Sequence, residues 1–264
     1  MKINKKTPYG QYYEEYLYHN VYLNLSKKRS LGIANEMEAA KATAMLIKKS
    51  KIKFNSILDA GCQSGHYLYT LRKRFGSEFS YTGIDGFENH IKAAKKIWQR
   101  DQKAKFYKCW IQKINIKTRP HDISFSINVF THLPEINKAL KSLNKHTKKL
   151  CIIRTPIHEI SYKIQQVYNS KWYKHTTVKP IDEFDAYGNP RSCNLFNVYS
   201  KEFFTHAIKK NFDKCKITFV KDTFFDAKNI NKKEDKFLPT KVINGMQISD
   251  IMIVPNCFVL IEKL

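Results

Sequence analysis

Ser56-Ile57-Leu58-Asp59-Ala60-Gly61-Cys62-Gln63-Ser64-Gly65-His66 is the stretch whose reading decides the fold. A short apolar run ends in an acid, two glycines follow, and a helical pattern opens at about Tyr67. This order describes a strand, a tight turn and a helix N-terminus, where glycine lets backbone approach a ligand and free N–H groups face it. Tyr81-Thr82-Gly83-Ile84-Asp85 then supplies a second strand ending in an acid. Asp85 is placed to accept hydrogen bonds from the two hydroxyls of a ribose.

The details narrow the nucleotide. A dinucleotide fingerprint needs Gly-x-Gly-x-x-Gly, and Gly61 is followed only by Gly65. A P-loop needs Gly-Lys-Ser/Thr, and Gly65-His66-Tyr67 is not that. An acid at the strand end suits a cationic amino-acid moiety better than a pyrophosphate. The arrangement acid-x-Gly-x-Gly-x-Gly resembles the first motif of the class I S-adenosylmethionine-dependent methyltransferases, matched by Asp59, Gly61 and Gly65. Gln63 replaces the middle glycine, which is tolerable if that position does not need a positive φ.

Around this core, alternating patterns mark strands at Lys105–Ile111, Ile123–Phe130 and Leu150–Arg154. Helices follow from Gly86 through Arg100 and from Pro134 through Thr147. Residues 157–199 break the rhythm with clustered aromatics, acids and turn residues. Ser200 is a good N-cap for a helix over Lys201–Lys210, and strands at Lys216–Val220 and Cys257–Ile261 flank a polar excursion from Asp226 to Met246. The expected fold is therefore α/β, a seven-stranded, mostly parallel Rossmann-like sheet with helices on both faces. The family resemblance makes the last strand antiparallel. Residues 1–50, with Tyr9, Tyr12, Tyr13, Tyr16, Tyr18 and Tyr22 and a cleaner helix over Ala34–Lys49, are expected to form a helical cap or lid. Residues 51–264 form the main domain, with 157–199 as an insertion after the fifth strand.

The chain has 264 residues and a net charge of +24. Only seven of its 47 basic residues are Arg, and the Lys are spread through a sequence also rich in Ile and Asn. That usage fits an AT-rich genome better than a nucleic-acid-binding face, though attraction to anionic partners follows from charge of any origin. No run approaches the length of a membrane span, so a cytoplasmic protein is expected. The six cysteines have no metal spacing and read as small hydrophobes, and no metal is expected.

The resemblance implies S-adenosylmethionine as cofactor. Asp59, Gly61, Cys62, Gln63 and Gly65 would meet its amino-acid end and Asp85 its ribose, while Gly86 and Phe87 would flank its adenine. Trp110, Ile111 and Gln112 follow the third strand, where the family often places an acid near the adenine amino group; Gln112 would substitute and Trp110 would stack. Asn128 and Val129 open a segment, Asn128-Val129-Phe130-Thr131-His132-Leu133, that resembles the family's fourth motif. His132 there is a candidate base for a hydroxyl acceptor.

In the insertion, His158 and Asp185 are further catalytic candidates. Arg154, Glu159, Tyr187, Arg191, Asn194 and Tyr199 are candidate acceptor contacts, among a set with Asp182, Glu183 and Asn197. Acids, aromatics and amides at this density suit a small, sugar-like acceptor. Several runs (Gly65–Leu68, Tyr81–Asp85 and Asn194–Ser200) also resemble a bacterial subgroup encoded among surface-polysaccharide genes. An RNA or protein methyltransferase using the basic surface and a non-catalytic scaffold of the same fold are the alternatives. The first lacks the Asn-Pro-Pro-Tyr/Phe motif after the fourth strand that many base N-methyltransferases carry. The second rests on Gln63 and the missing adenine acid.

Overall fold

The computed structural model describes residues 19–167, 169–171, 178–224, 240–244, 246–249 and 252–264. The expected aromatic contacts of Tyr9, Tyr12, Tyr13, Tyr16 and Tyr18, and the side chain of Tyr22, lie outside what is described. In chain order the elements are α1 (His19–Ser30), α2 (Glu38–Ser50), β1 (Ser56–Ala60), α3 (His66–Phe75), β2 (Ser80–Asp85) and α4 (Glu88–Ile97). Then come β3 (Ala104–Lys108), β4 (His121–Ile127), α5 (Asn137–His146) and β5 (Thr147–His158). β6 (Tyr162–Val167), β7 (Cys193–Ser200), α6 (Lys201–Asn211) and β8 (Cys215–Lys221) follow. β9 (Thr240–Ile243), β10 (Met246–Ser249), β11 (Met252–Ile253) and β12 (Asn256–Lys263) complete the chain.

The main sheet runs β3-β2-β1-β4-β5-β12-β8. β1 to β5 pair in parallel along this path, and β12 is antiparallel to both β5 and β8. Parallel strands covered on both faces must be apolar on both. Ile57, Tyr81 and Phe125 accordingly pack beneath α2, α3 and α4, with Ile47, Leu68, Leu71 and Ile91. Leu58, Ile84 and Ile153 pack on the other side against Leu140 and Leu143 of α5 and Phe204 and Ile208 of α6. Strand order reverses between β1 and β4, which sets the ligand crevice at their carboxyl ends.

The expected seven-strand path and its antiparallel strand are both present. Three features go beyond it. β5 is longer than its apolar run, and its end, Ile157 and His158, pairs in parallel with Tyr199 and Ser200 of β7. β6 pairs antiparallel with β7, so the insertion extends the sheet to nine strands. β9, β10 and β11 form a separate three-stranded sheet that begins in the stretch read as a polar excursion and continues past its end at Met246. Ser200 caps α6 as expected, its hydroxyl accepting from the Phe203 N–H at 3.1 Å.

Candidate functional site

The turn between β1 and α3 is built from backbone in the left-handed region. Gly61 has φ 101°, Gly65 has φ 83°, and Gln63 between them has φ 48°. The condition on which Gln63 was acceptable therefore fails: its position does take the conformation glycine favours, at a cost of about 1–2 kcal/mol for a residue with a Cβ. Hydrogen bonds hold it there. Gly61 and Cys62 N–H groups donate to the Ile84 carbonyl at 2.8 and 3.0 Å, and the Gln63 N–H donates to Asp85 Oδ2 at 3.0 Å. A Cβ on Gly61 would lie 2.4 Å from Cγ2 of Val129, so the loop after β4 is seated directly on the turn. Cys62 is buried, and burial pushes its thiol well up, so it is no nucleophile.

Asp85 ends β2 and organises the next part of the site. Its Oδ1 faces the Phe87 N–H at 3.0 Å and His90 Nδ1 at 3.1 Å. A carboxylate offers about four acceptor positions, and three are taken, which leaves one for a ribose hydroxyl. His90 was missed in the sequence, although its place in the first turn of α4, five residues after the acid, was visible there. A Cβ on Gly86 would lie 2.3 Å from the Trp110 ring, and Phe87 meets that ring edge-to-face at 5.5 Å. Ile111 is buried and opens a single 3₁₀ turn that also carries Gln112. Gly86, Phe87 and Trp110 thus make an aromatic cleft beside Asp85, a fit for a purine.

Asp59 differs from expectation. Its carboxyl is buried beneath the turn, 2% exposed, and accepts from the Tyr81 hydroxyl at 2.5 Å. Burial, with a smaller contribution from nearby Asp85, pushes it up to about 8 against the lowering effect of Tyr81. At neutral pH the free protein holds it protonated, so it is a neutral hydrogen-bonding group until a cation approaches.

The ends of β4 and β5 bring together Asn128, Val129, His132, Arg154, Asn194 and Tyr199, in roles that partly differ from those expected. The His132 Nδ1 is bound to the Leu195 carbonyl at 2.8 Å, with Asn194 as a further side-chain partner, and burial lowers its pKa. This imidazole fastens the loop to β7, and its burial disfavours the protonated form that a base must reach. The Tyr199 hydroxyl donates to the Phe130 carbonyl at 2.7 Å and is buried, so it also supports that loop. Arg154 is buried in an ion pair with Asp222 and also bonds Asn128.

His158 and Glu159 are exposed beyond β5 and line a groove with Lys201, Thr205 and His206 of α6. Asp185 is spent on its own turn, accepting from the N–H groups of Tyr187 and Asn189 at 2.9 and 2.8 Å. Those bonds hold its carboxyl below the usual range. Tyr187 and Arg191 are exposed in the same turn. Among the described residues no group of His, Cys, Asp and Glu is arranged to hold a metal. All six cysteines are free.

A contact the sequence did not suggest joins α1 to the glycine turn. Ser26 Oγ lies 2.5 Å from Ser64 Oγ and 3.1 Å from His66 Nδ1, and Ser30 donates to the Ser64 carbonyl at 3.1 Å. Burial lowers His66 to about 3, so it is neutral here.

A family model described as a methyltransferase domain matches residues 53–185. No curated protein matches the chain. A S-adenosylmethionine-dependent methyltransferase from Clostridium acetobutylicum superposes with a TM-score of 0.54 at 14% identity, covering 93% of this chain and 98% of its own. The geranyl diphosphate C-methyltransferase of Streptomyces coelicolor does so with a TM-score of 0.54 at 13% identity, covering 84% and 79%. At these identities the likeness is one of fold. Family and site agree: the turn, the acceptor position left on Asp85 and the aromatic cleft fit S-adenosylmethionine, which is the cofactor of this enzyme. The chain belongs to the methyltransferase domain family.

Proposed function

We propose that the enzyme methylates a hydroxyl of a sugar, nucleotide-sugar or glycan precursor. The observation that carries this reading is the polar groove at the end of β5, lined by His158, Glu159, Lys201, Glu202, Thr205 and His206. An apolar acceptor would strip water from these groups without replacing its hydrogen bonds, whereas a polyol would replace them. The net charge of +24 adds attraction for a nucleotide-sugar's diphosphate.

When bound, S-adenosylmethionine supplies a methyl group already activated on a sulfonium. The residues of this chain then have two tasks, to orient donor and acceptor and to remove the hydroxyl proton. Gly61, Gln63, Asp85, Phe87 and Trp110 hold the donor. Of the three candidate bases we assign His158, the one exposed imidazole among them, at the end of β5 where the insertion begins. Residues 157–199 serve as the acceptor wall and residues 1–50 as a cap over the donor. Six free thiols accord with a reducing cytoplasm. The resemblance to a polysaccharide-associated subgroup points the same way.

The test has two stages. Calorimetric titration of wild type and Asp85→Ala with S-adenosylhomocysteine should give micromolar-range binding in the first and none in the second. Methyl transfer from labelled S-adenosylmethionine should then be found with a panel of nucleotide-sugars and fall at least about tenfold in His158→Ala. Transfer to an RNA transcript and to none of the sugars would replace this reading with the nucleic-acid one.

A further inference from the structure

Arg154 carries a buried ion pair at the carboxyl end of the sheet. Its Nε and Nη2 both donate to Asp222 Oδ2, at 2.8 and 2.5 Å, and Nη2 also donates to Gln247 Oε1 at 3.2 Å. Its Nη1 donates to the side-chain oxygen of Asn128. Four hydrogen bonds are thereby made by a group with five donors, and Asp222 balances its charge. A cation so occupied is badly placed to recognise an anionic or hydroxyl group of its own. Its contacts lead instead to Asn128, whose backbone has φ 60° and whose N–H donates to the Arg154 carbonyl at 3.0 Å. The next residue, Val129, rests on Gly61.

We propose that Arg154, held by Asp222, is a positioning residue that fixes Asn128 beside the donor turn and selects which end of its amide the ligand meets. A guanidinium only donates, so the Asn128 oxygen must face it and the amide Nδ2 must face the other way. The site therefore offers an N–H donor to a ligand oxygen at this point. Gln247 secures the arrangement: its Nε2 donates to Asp222 at 3.2 Å, and its Oε1 accepts from Asn256 at 2.8 Å. The small β9–β11 sheet thus reaches the donor site through one side chain. The proposal rests on the assignment of that site to S-adenosylmethionine.

The experiment is calorimetric titration of the full chain with S-adenosylhomocysteine, paired with thermal melting. Asp222→Asn should raise Kd about tenfold, the size of one charge-assisted hydrogen bond lost from the chain of contacts. Asn128→Ala should do the same, and the double variant should be no worse than Asn128→Ala alone, because nothing remains to be positioned. If Asp222→Asn does not fold, Arg154→Lys keeps a charge beside Asp222 but loses the fork, and the same weakening is expected of it. A lowered Tm with unchanged Kd, or additive losses in the double variant, would overturn the positioning role. Asp85→Ala is the separating control: if it binds like wild type, the donor-site assignment itself is wrong.

Discussion

The main-chain N–H of Gln63 lies 3.0 Å from Oδ2 of Asp85, so the carboxylate that ends β2 also fastens the turn that ends β1. The same carboxylate holds Phe87 and His90 through its other oxygen. One side chain thus joins the turn after β1 to the start of α4. It also accounts for a residue with a Cβ sitting at φ 48°. The bond to a charged acceptor offsets the backbone cost, which glycine would not incur.

That cost is measurable. Gln63→Gly should relieve it, less the entropy that glycine adds to the unfolded chain, for a net gain of about 0.5–1 kcal/mol. In a chain of this size the gain corresponds to a Tm about 2 °C higher. A melting curve on the apo protein decides it, and a Tm that falls would mean the Gln63 side chain contributes more than its backbone loses.

Asp59 predicts a pH dependence. Its proton is held up to about 8 in the folded protein, against an ordinary value of 3.8. The native state therefore binds more protons between these values. The stability from this group is complete below the ordinary carboxylate value and is lost as pH rises to about 8. Asp59→Asn removes the titration while keeping an oxygen for the Tyr81 hydroxyl. Its Tm relative to wild type should rise from pH 5 to about pH 8 and level off above that. A pH-independent difference would show that Asp59 does not titrate in this window.

Local patterns carried most of the fold and the turn on which the proposed donor site is built. Strand ends, glycine spacing and the acids at 59 and 85 are properties of neighbouring residues, and a reader of the sequence can find them. What stayed hidden depends on distant partners. Nothing near His132 announces that the Leu195 carbonyl will bind it, 63 residues on. Arg154 read as a pocket cation because Asp222, its partner, lies 68 residues away. The small sheet of β9 to β11 is built from strands of four, four and two residues, too short to stand out from a loop. The left-handed backbone at Gln63 is a further case, since the side chain there gives no sign of it.

The aromatic cleft gives a sharper test of donor placement. A methyl group on residue 86 would come within 2.3 Å of Trp110, so Gly86→Ala must push that ring away from residue 86. Overpacking of this kind costs about 1–3 kcal/mol. We expect S-adenosylhomocysteine affinity to drop about tenfold or more. Adenosine, tested as a competitor, should lose affinity by the same factor, because the damage is confined to its subsite. Unchanged affinity for both ligands would place the adenine elsewhere.

The serine contacts of α1 predict how the site opens. Ser26 Oγ is shared by the Ser64 hydroxyl, the Ser64 N–H and His66 Nδ1, at 2.5, 3.4 and 3.1 Å. Ser26→Ala leaves these buried groups a partner short, at about 1–3 kcal/mol. The helix packs on α3 and α4 and the hydroxyl cluster joins it to the donor turn, so the loss should appear as local opening rather than global unfolding. Hydrogen exchange followed by mass spectrometry should quicken in residues 19–30 and 62–66 and stay unchanged in β5 and β12. Added S-adenosylhomocysteine should slow the first pair of segments again, as expected of the proposed cap over the donor. Uniformly faster exchange across the sheet would mean that Ser26 supports the whole domain, and that α1 is not a separately opening element.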